Sequence, residues 1–141
     1  MNKINFDEVP GYYAMCAVSD CPMADHCLRQ MALQALDKRE RQVIIVNPKM
    51  TRPSKQCEFY RPDEVKTFGR GFVNMKEEML PRQYEVFMHR LQGHFGRTGY
   101  FERKRGQRLC SPEDISVIMA VLQELGLSHL SFDTLIERYN W

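Results

Sequence analysis

Four of the chain's five cysteines, Cys16, Cys21, Cys27 and Cys57, are the residues whose type and spacing point to chemistry. Three fall in CAVSDCPMADHC, residues 16–27, and the fourth follows in a proline-rich stretch. Thiolates are soft ligands, and zinc takes three or four of them at about 2.3 Å, so sulfurs from separate segments must meet at one point. The pattern Cys-x4-Cys-x5-Cys-x29-Cys is not the Cys-x2-Cys knuckle of zinc ribbons, and four cysteines can equally ligate an iron-sulfur cluster. Three readings therefore stand side by side. The set holds zinc or an iron-sulfur cluster, or the thiols are buried for packing alone with no cofactor, or a reactive Cys21 serves a thiol redox protein. His26 is a reserve ligand, and Cys110 lies outside the group.

The other titratable residues form no catalytic signature. The sequence contains no Gly-x-Ser-x-Gly, Walker-type phosphate loop, dinucleotide fingerprint or His-Glu-x-x-His, and His26, His89, His94 and His129 are scattered. A non-enzymatic domain is expected. Net charge is only +2, yet residues 97–108, RTGYFERKRGQR, carry five basic residues against Glu102 alone. Arg97, Arg103, Lys104, Arg105 and Arg108 could grip phosphates beside the rings of Tyr100 and Phe101, which makes a nucleic-acid-binding regulator the alternative function. The competing explanation is a solvated basic turn.

The elements that would position these residues follow from periodicity. Residues 11–18 and VIIV, 43–46, read as an N-terminal strand pair, the second buried on both faces. A helix capped by Ser19, Asp20 or Cys21 should run from Pro22 to about Lys38, with Cys21 at its positive end and Cys27 in its second turn. Residues 48–62 form a loop carrying Cys57. Val65, Phe68, Phe72, Met75 and Met79 recur at helical spacing, and Pro81 opens a second helix with Tyr84, Phe87, Met88, Leu91 and Phe95 on one face. Residues 100–109 fit a β-hairpin turning at Gly106. Ser111, Pro112 and Asp114 cap a helix that Gly126 ends, and a last helix spans 132–139.

The expected fold is a mainly helical α+β single domain over residues 1–141, with a cysteine-bearing part (1–62) and a part made of helices and the basic hairpin (63–141). Hydrophobic residues make up 43% and charged residues 27%, as in a folded chain rather than a disordered one. Asp7, Glu8 and Pro10 interrupt the N-terminus where a secretory signal needs apolar residues, and no run reaches membrane-spanning length, so a cytoplasmic protein without a membrane partner is expected. Three stretches, CPMADHCLRQ, VNP followed by CEFYRPDEV, and FGRTGYFERKRGQRLCSPEDISVI, resemble an uncharacterised domain-of-unknown-function family of small bacterial proteins. That resemblance spans nearly the whole chain, implies a bacterial cytosolic setting and implies no activity.

Overall fold

Two glycines decide the first departure from the helical periodicity after residue 62. A Cβ on Gly69 would lie 2.6 Å from the Phe132 ring, and Gly71 holds φ +73°, a region that L side chains rarely adopt. In the computed structural model, which describes residues 4–141, this segment is therefore not a helix. It forms strand β1 (Val65–Arg70) followed by a 3-10 helix at Val73–Glu78. Gly69 exchanges both backbone hydrogen bonds with Cys110, at 3.0 and 2.8 Å. The expected last helix is strand β2 (Thr134–Tyr139), antiparallel to β1. The apolar spacings in both segments match a helix, but backbone pairing between residues far apart in sequence outweighs local periodicity.

The fold class is α+β, as the sequence indicates. Its regular elements in chain order are helix α1 (Leu28–Ala35), β1, helix α2 (Pro81–Lys104), helix α3 (Pro112–Glu124) and β2. The chain divides into two compact units, Met1–Glu64 with Tyr139–Trp141, and Val65–Arg138.

The second unit is built on α2 and α3. Ser111 Oγ accepts the Asp114 N–H at 3.1 Å while the Asp114 carboxylate accepts the Ser111 N–H at 3.1 Å, and Gly126 ends the segment at φ +72°, so α3 starts and stops as its residues dictate. Helix α2 does not. Gly96 interrupts it at φ +77°, ψ +165°, and Lys104 Nζ donates to Tyr84 Oη at 2.9 Å across twenty residues. A straight helix would separate those residues by about 30 Å, so the chain doubles back at Gly96. The expected 100–109 hairpin is consequently absent, because helix continues to Lys104 and only then turns through Gly106 at φ +78°. Phe72, Phe87, Leu91, Tyr100, Cys110, Ile118 and Leu122 are fully buried at the centre of this unit. Phe72 packs edge-on to Phe87 and Phe132, with ring centroids 5.8 and 6.2 Å away.

The first unit has little regular structure. The expected strand pair is reduced to one parallel bridge, Met15 with Ile45, and Val43, Ile44 and Ile45 are exposed rather than buried, because no further strand covers them. The expected helix over 22–38 begins only at Leu28, after a 3-10 turn at Ala24–His26. Its core is Ile4, Tyr13, Met15, Leu28, Met31 and Ala32, with the Trp141 ring edge-on to Tyr13 at 5.0 Å.

Gly96→Ala should destabilise the protein by about 1–3 kcal/mol, because its backbone region is open almost only to glycine. Gly93→Ala, on the exposed face of the same helix with nothing near its added Cβ, should stabilise by up to about 1 kcal/mol. Urea unfolding of the two variants checks the pair, and equal effects would contradict the reversal at residue 96.

Candidate metal centre

The first turn of α1 ties together the segments that carry the cysteines. Cys27 is its N-cap, held at φ −103°, ψ +118° by an antiparallel bridge to Pro62. Leu28 N–H donates to Arg61 O at 2.7 Å and Cys16 N–H to Arg29 O at 3.1 Å. From the same turn the Arg29 guanidinium donates to Ala14 O and to Phe59 O, both at 2.8 Å, with its carbon 5.0 Å from the Tyr13 ring centre. Buried Gln30 adds a 2.7 Å bond to Val18 O and a 3.5 Å contact to Cys16 Sγ. Leu28, Arg29 and Gln30 of α1 thus clamp both the 14–18 segment and the 59–62 segment.

The clamp brings all four sequence-selected cysteines to one cavity. Cys16, Cys21, Cys27 and Cys57 line a space of about 20 Å³ together with Val18, Met23 and Phe59. Cys16 and Cys27 are buried, and Cys21 and Cys57 are half-buried on segments without regular structure. Cys21 does not stand at a helix start, because residues 19–23 form turns and Asp20 adopts φ +55°. The helix-dipole argument for an activated Cys21 therefore fails. Cys27 likewise caps α1 instead of sitting in a second turn.

Tetrahedral zinc requires sulfurs about 3.8 Å apart. Among the described residues no group of three or more His, Cys, Asp or Glu side chains is disposed to hold a metal ion in this conformation. The donor chemistry nevertheless fits a soft ion. The cavity is lined by four thiols with no carboxylate among its walls, Arg29 and Arg52 also line it, and Gln30 already directs an N–H at Cys16 Sγ. Tyr13, whose buried hydroxyl has no hydrogen-bond partner, does not line this cavity, and burial raises it above the usual phenol range, opposed by Arg29 and reinforced by Cys27. The reserve ligand His26 points elsewhere: it is largely exposed, and its Nδ1 lies 3.3 Å from Asp63 Oδ2. Cys110 is in the other unit, where burial and then Asp114 push its thiol up to about 11 against the opposing charge of Arg103.

The five basic residues of the alternative site are not presented as one surface. Arg103 is buried, its Nε 3.1 Å from Asp114 Oδ2, its Nη1 bonded to Gly99 O, and its guanidinium 4.2 Å over Phe95. It holds the α2 reversal and the α3 cap together, and its burial keeps it from a phosphate in solvent. Lys104 is directed onto Tyr84, Arg108 lies 3.9 Å from Glu102, and Arg97 and Arg105 are exposed. What the sequence reading missed is the clamp itself. Arg29 and Gln30 look like ordinary polar residues of a helix, and only the compact packing of the 14–18 and 59–62 segments gives them their targets.

Two outcomes follow. In reduced, EDTA-treated protein, Cys21 and Cys57 should react with a chromogenic disulfide before Cys16 and Cys27, and Arg29→Met should accelerate the latter two by about tenfold or more, since each charged hydrogen bond removed is worth about 1.5–3 kcal/mol. Cys110 binds its proton more tightly folded than unfolded, so its contribution is complete below about pH 9 and is lost as pH rises towards about 11. Urea unfolding at pH 8 and pH 10.5 should show that loss, and Cys110→Ala should flatten it.

Comparison with known proteins adds a family but no activity. No curated protein and no solved structure matches the chain, and no helix among the described residues is long and apolar enough to cross a membrane. A family model does match, over residues 1–141, and the chain therefore belongs to DUF6078, a family of unknown function.

Proposed function

We propose that the first unit is a structural zinc module in which Cys16, Cys21, Cys27 and Cys57 hold one ion. The observation that carries this reading is that sulfurs from three separated segments line a single small cavity. Size supports a metal. A unit of fewer than about 70 residues rarely gains more than about 3–5 kcal/mol from its core and relies on a staple. Here the core is six buried side chains around one eight-residue helix. Structural zinc supplies such a staple, because its binding energy is folding energy.

The volume favours a single ion over a cluster. About 20 Å³ admits roughly one water-sized sphere, whereas a cubane of four irons and four sulfides needs far more room. Cys21 and Cys57, the two half-buried thiols, close on the ion by side-chain rotation, while Cys16 and Cys27 stay anchored by the α1 clamp. Four protein ligands leave no open coordination position, which makes the role structural rather than catalytic. When bound, the metal supplies a fixed cross-link between the 14–21 and 57–62 segments, and Gln30 donates to the Cys16 sulfur.

Elemental analysis of protein purified without chelator should give one zinc per chain and no visible absorption band. Cys21→Ser and Cys57→Ser should each weaken zinc retention at least tenfold in a competition with a metallochromic dye and lower the melting temperature of zinc-loaded protein. Metal-free protein with four thiols titrating at once, or protein containing iron and sulfide, would sink this reading.

A further inference from the structure

The reversal of α2 creates a second polar cluster, in the other unit. Tyr84 and Lys104, twenty residues apart, meet at 2.9 Å between Oη and Nζ. Lys104 Nζ is 5.3 Å from the Tyr84 ring centre and Lys76 Nζ, from the 3-10 helix, is 4.8 Å from it. Behind Tyr84 stands Tyr100, fully buried, whose hydroxyl has no hydrogen-bond partner. It is near enough to influence the titration of Tyr84, but not in a geometry that satisfies its own proton.

The cluster holds donors and no acceptor to balance them. Neither Lys76 nor Lys104 forms an ion pair with an acidic side chain among the described residues. Each ammonium has three N–H groups, and the one bond to Tyr84 Oη uses one of the six. Because Tyr84 Oη already accepts from Lys104, its own O–H is left to donate outward. Partial burial pushes the Tyr84 phenol up, but the bond from Lys104, the Tyr100 hydroxyl and the charge of Lys76 more than reverse it, so Tyr84 is a sharpened donor. Tyr84 and Lys104 are half-buried and Lys76 is exposed, so the group is reachable from solvent. Two ammonium groups without an ion-pair partner, both within 5.3 Å of the Tyr84 ring centre and beside its outward O–H, match an oxyanion of charge −2 better than a monoanion.

We propose that Tyr84, Lys76 and Lys104 form a binding site for a small phosphate dianion, either inorganic phosphate or the terminal group of a phosphate monoester. Tyr100 is a positioning residue: it donates to Tyr84 Oη when the anion draws the Tyr84 proton outward, so the otherwise unpaired buried hydroxyl gains a partner.

Isothermal titration of the full chain with inorganic phosphate at fixed ionic strength tests this, with acetate as the monoanion and glucose 6-phosphate as the monoester. Phosphate should bind one per chain and at least tenfold more tightly than acetate. Lys76→Met and Lys104→Met should each weaken it about tenfold, the loss of one charge-assisted contact. Tyr100→Phe, which keeps the packing, should weaken phosphate several-fold and move the Tyr84 phenolate absorbance titration upward. Phosphate and monoester binding alike locate the site on a free phosphate group. Binding of single-stranded RNA with no response to phosphate would overturn the proposal. So would equal binding of acetate, or a Tyr100→Phe variant that is more stable and binds phosphate unchanged. Circular dichroism of each variant separates a lost site from a lost fold, and because this unit contains none of the four cavity cysteines, the result is independent of the zinc content.

Discussion

The guanidinium of Arg29 is the constraint on which the first unit depends. Residues 4–64 contain one eight-residue α-helix, two single-turn 3-10 helices and almost no sheet, so most of their backbone polar groups cannot be satisfied within regular elements. A buried carbonyl without a donor costs about as much as a lost hydrogen bond, about 1–3 kcal/mol. Arg29 answers two of them at once, Ala14 O and Phe59 O, through a rigid planar fork that lysine could not reproduce. Gln30 answers a third at Val18. Two loops that share no ladder are thereby fixed to one helix turn, and the sulfurs they carry face the same cavity.

The second unit depends on a different economy, the absence of side chains. Gly69 admits the Phe132 ring against the backbone of β1, Gly71 turns the chain from strand into 3-10 helix, and Gly96 folds α2 on itself. Asp133 then caps the 3-10 helix by accepting from Val73 and Asn74 at 3.0 and 3.1 Å. The aromatic centre around Phe72 is possible because those close approaches bring residues 68–75, 87–100 and 132 together. Unit one is held by donors reaching carbonyls, and unit two by backbone that makes room for rings.

What the sequence disclosed tracks how local each cause is. The α3 cap was legible because Ser111, Pro112 and Asp114 act within one turn. Cys16, Cys21, Cys27 and Cys57 stand out in the sequence because thiols are chemically conspicuous, whereas the cavity they share depends on Arg29 and Gln30, whose targets the sequence does not display. The segments 63–80 and 132–139 were misread because Val65, Phe68, Phe72, Met75 and Met79 imitate a helix, while the decisive pairings with Cys110 and β2 lie forty or more residues away. The 100–109 hairpin was misread for the opposite reason: Gly106 does turn the chain, but helical hydrogen bonding reaches to Lys104 first. Nothing in the sequence distinguishes Gly96 from Gly93 or Gly99, so neither the reversal nor the meeting of Tyr84 with Lys104 could be foreseen.

The fold-back of α2 has a consequence for self-association. Were residue 96 to take ordinary helical angles, Pro81–Lys104 would become one uninterrupted rod, and the bond from Lys104 to Tyr84 would be lost. The same contacts could be regained only from another copy of the chain, with each protomer lending its 97–104 segment to its neighbour. A single residue without a side chain thus keeps these contacts within one molecule.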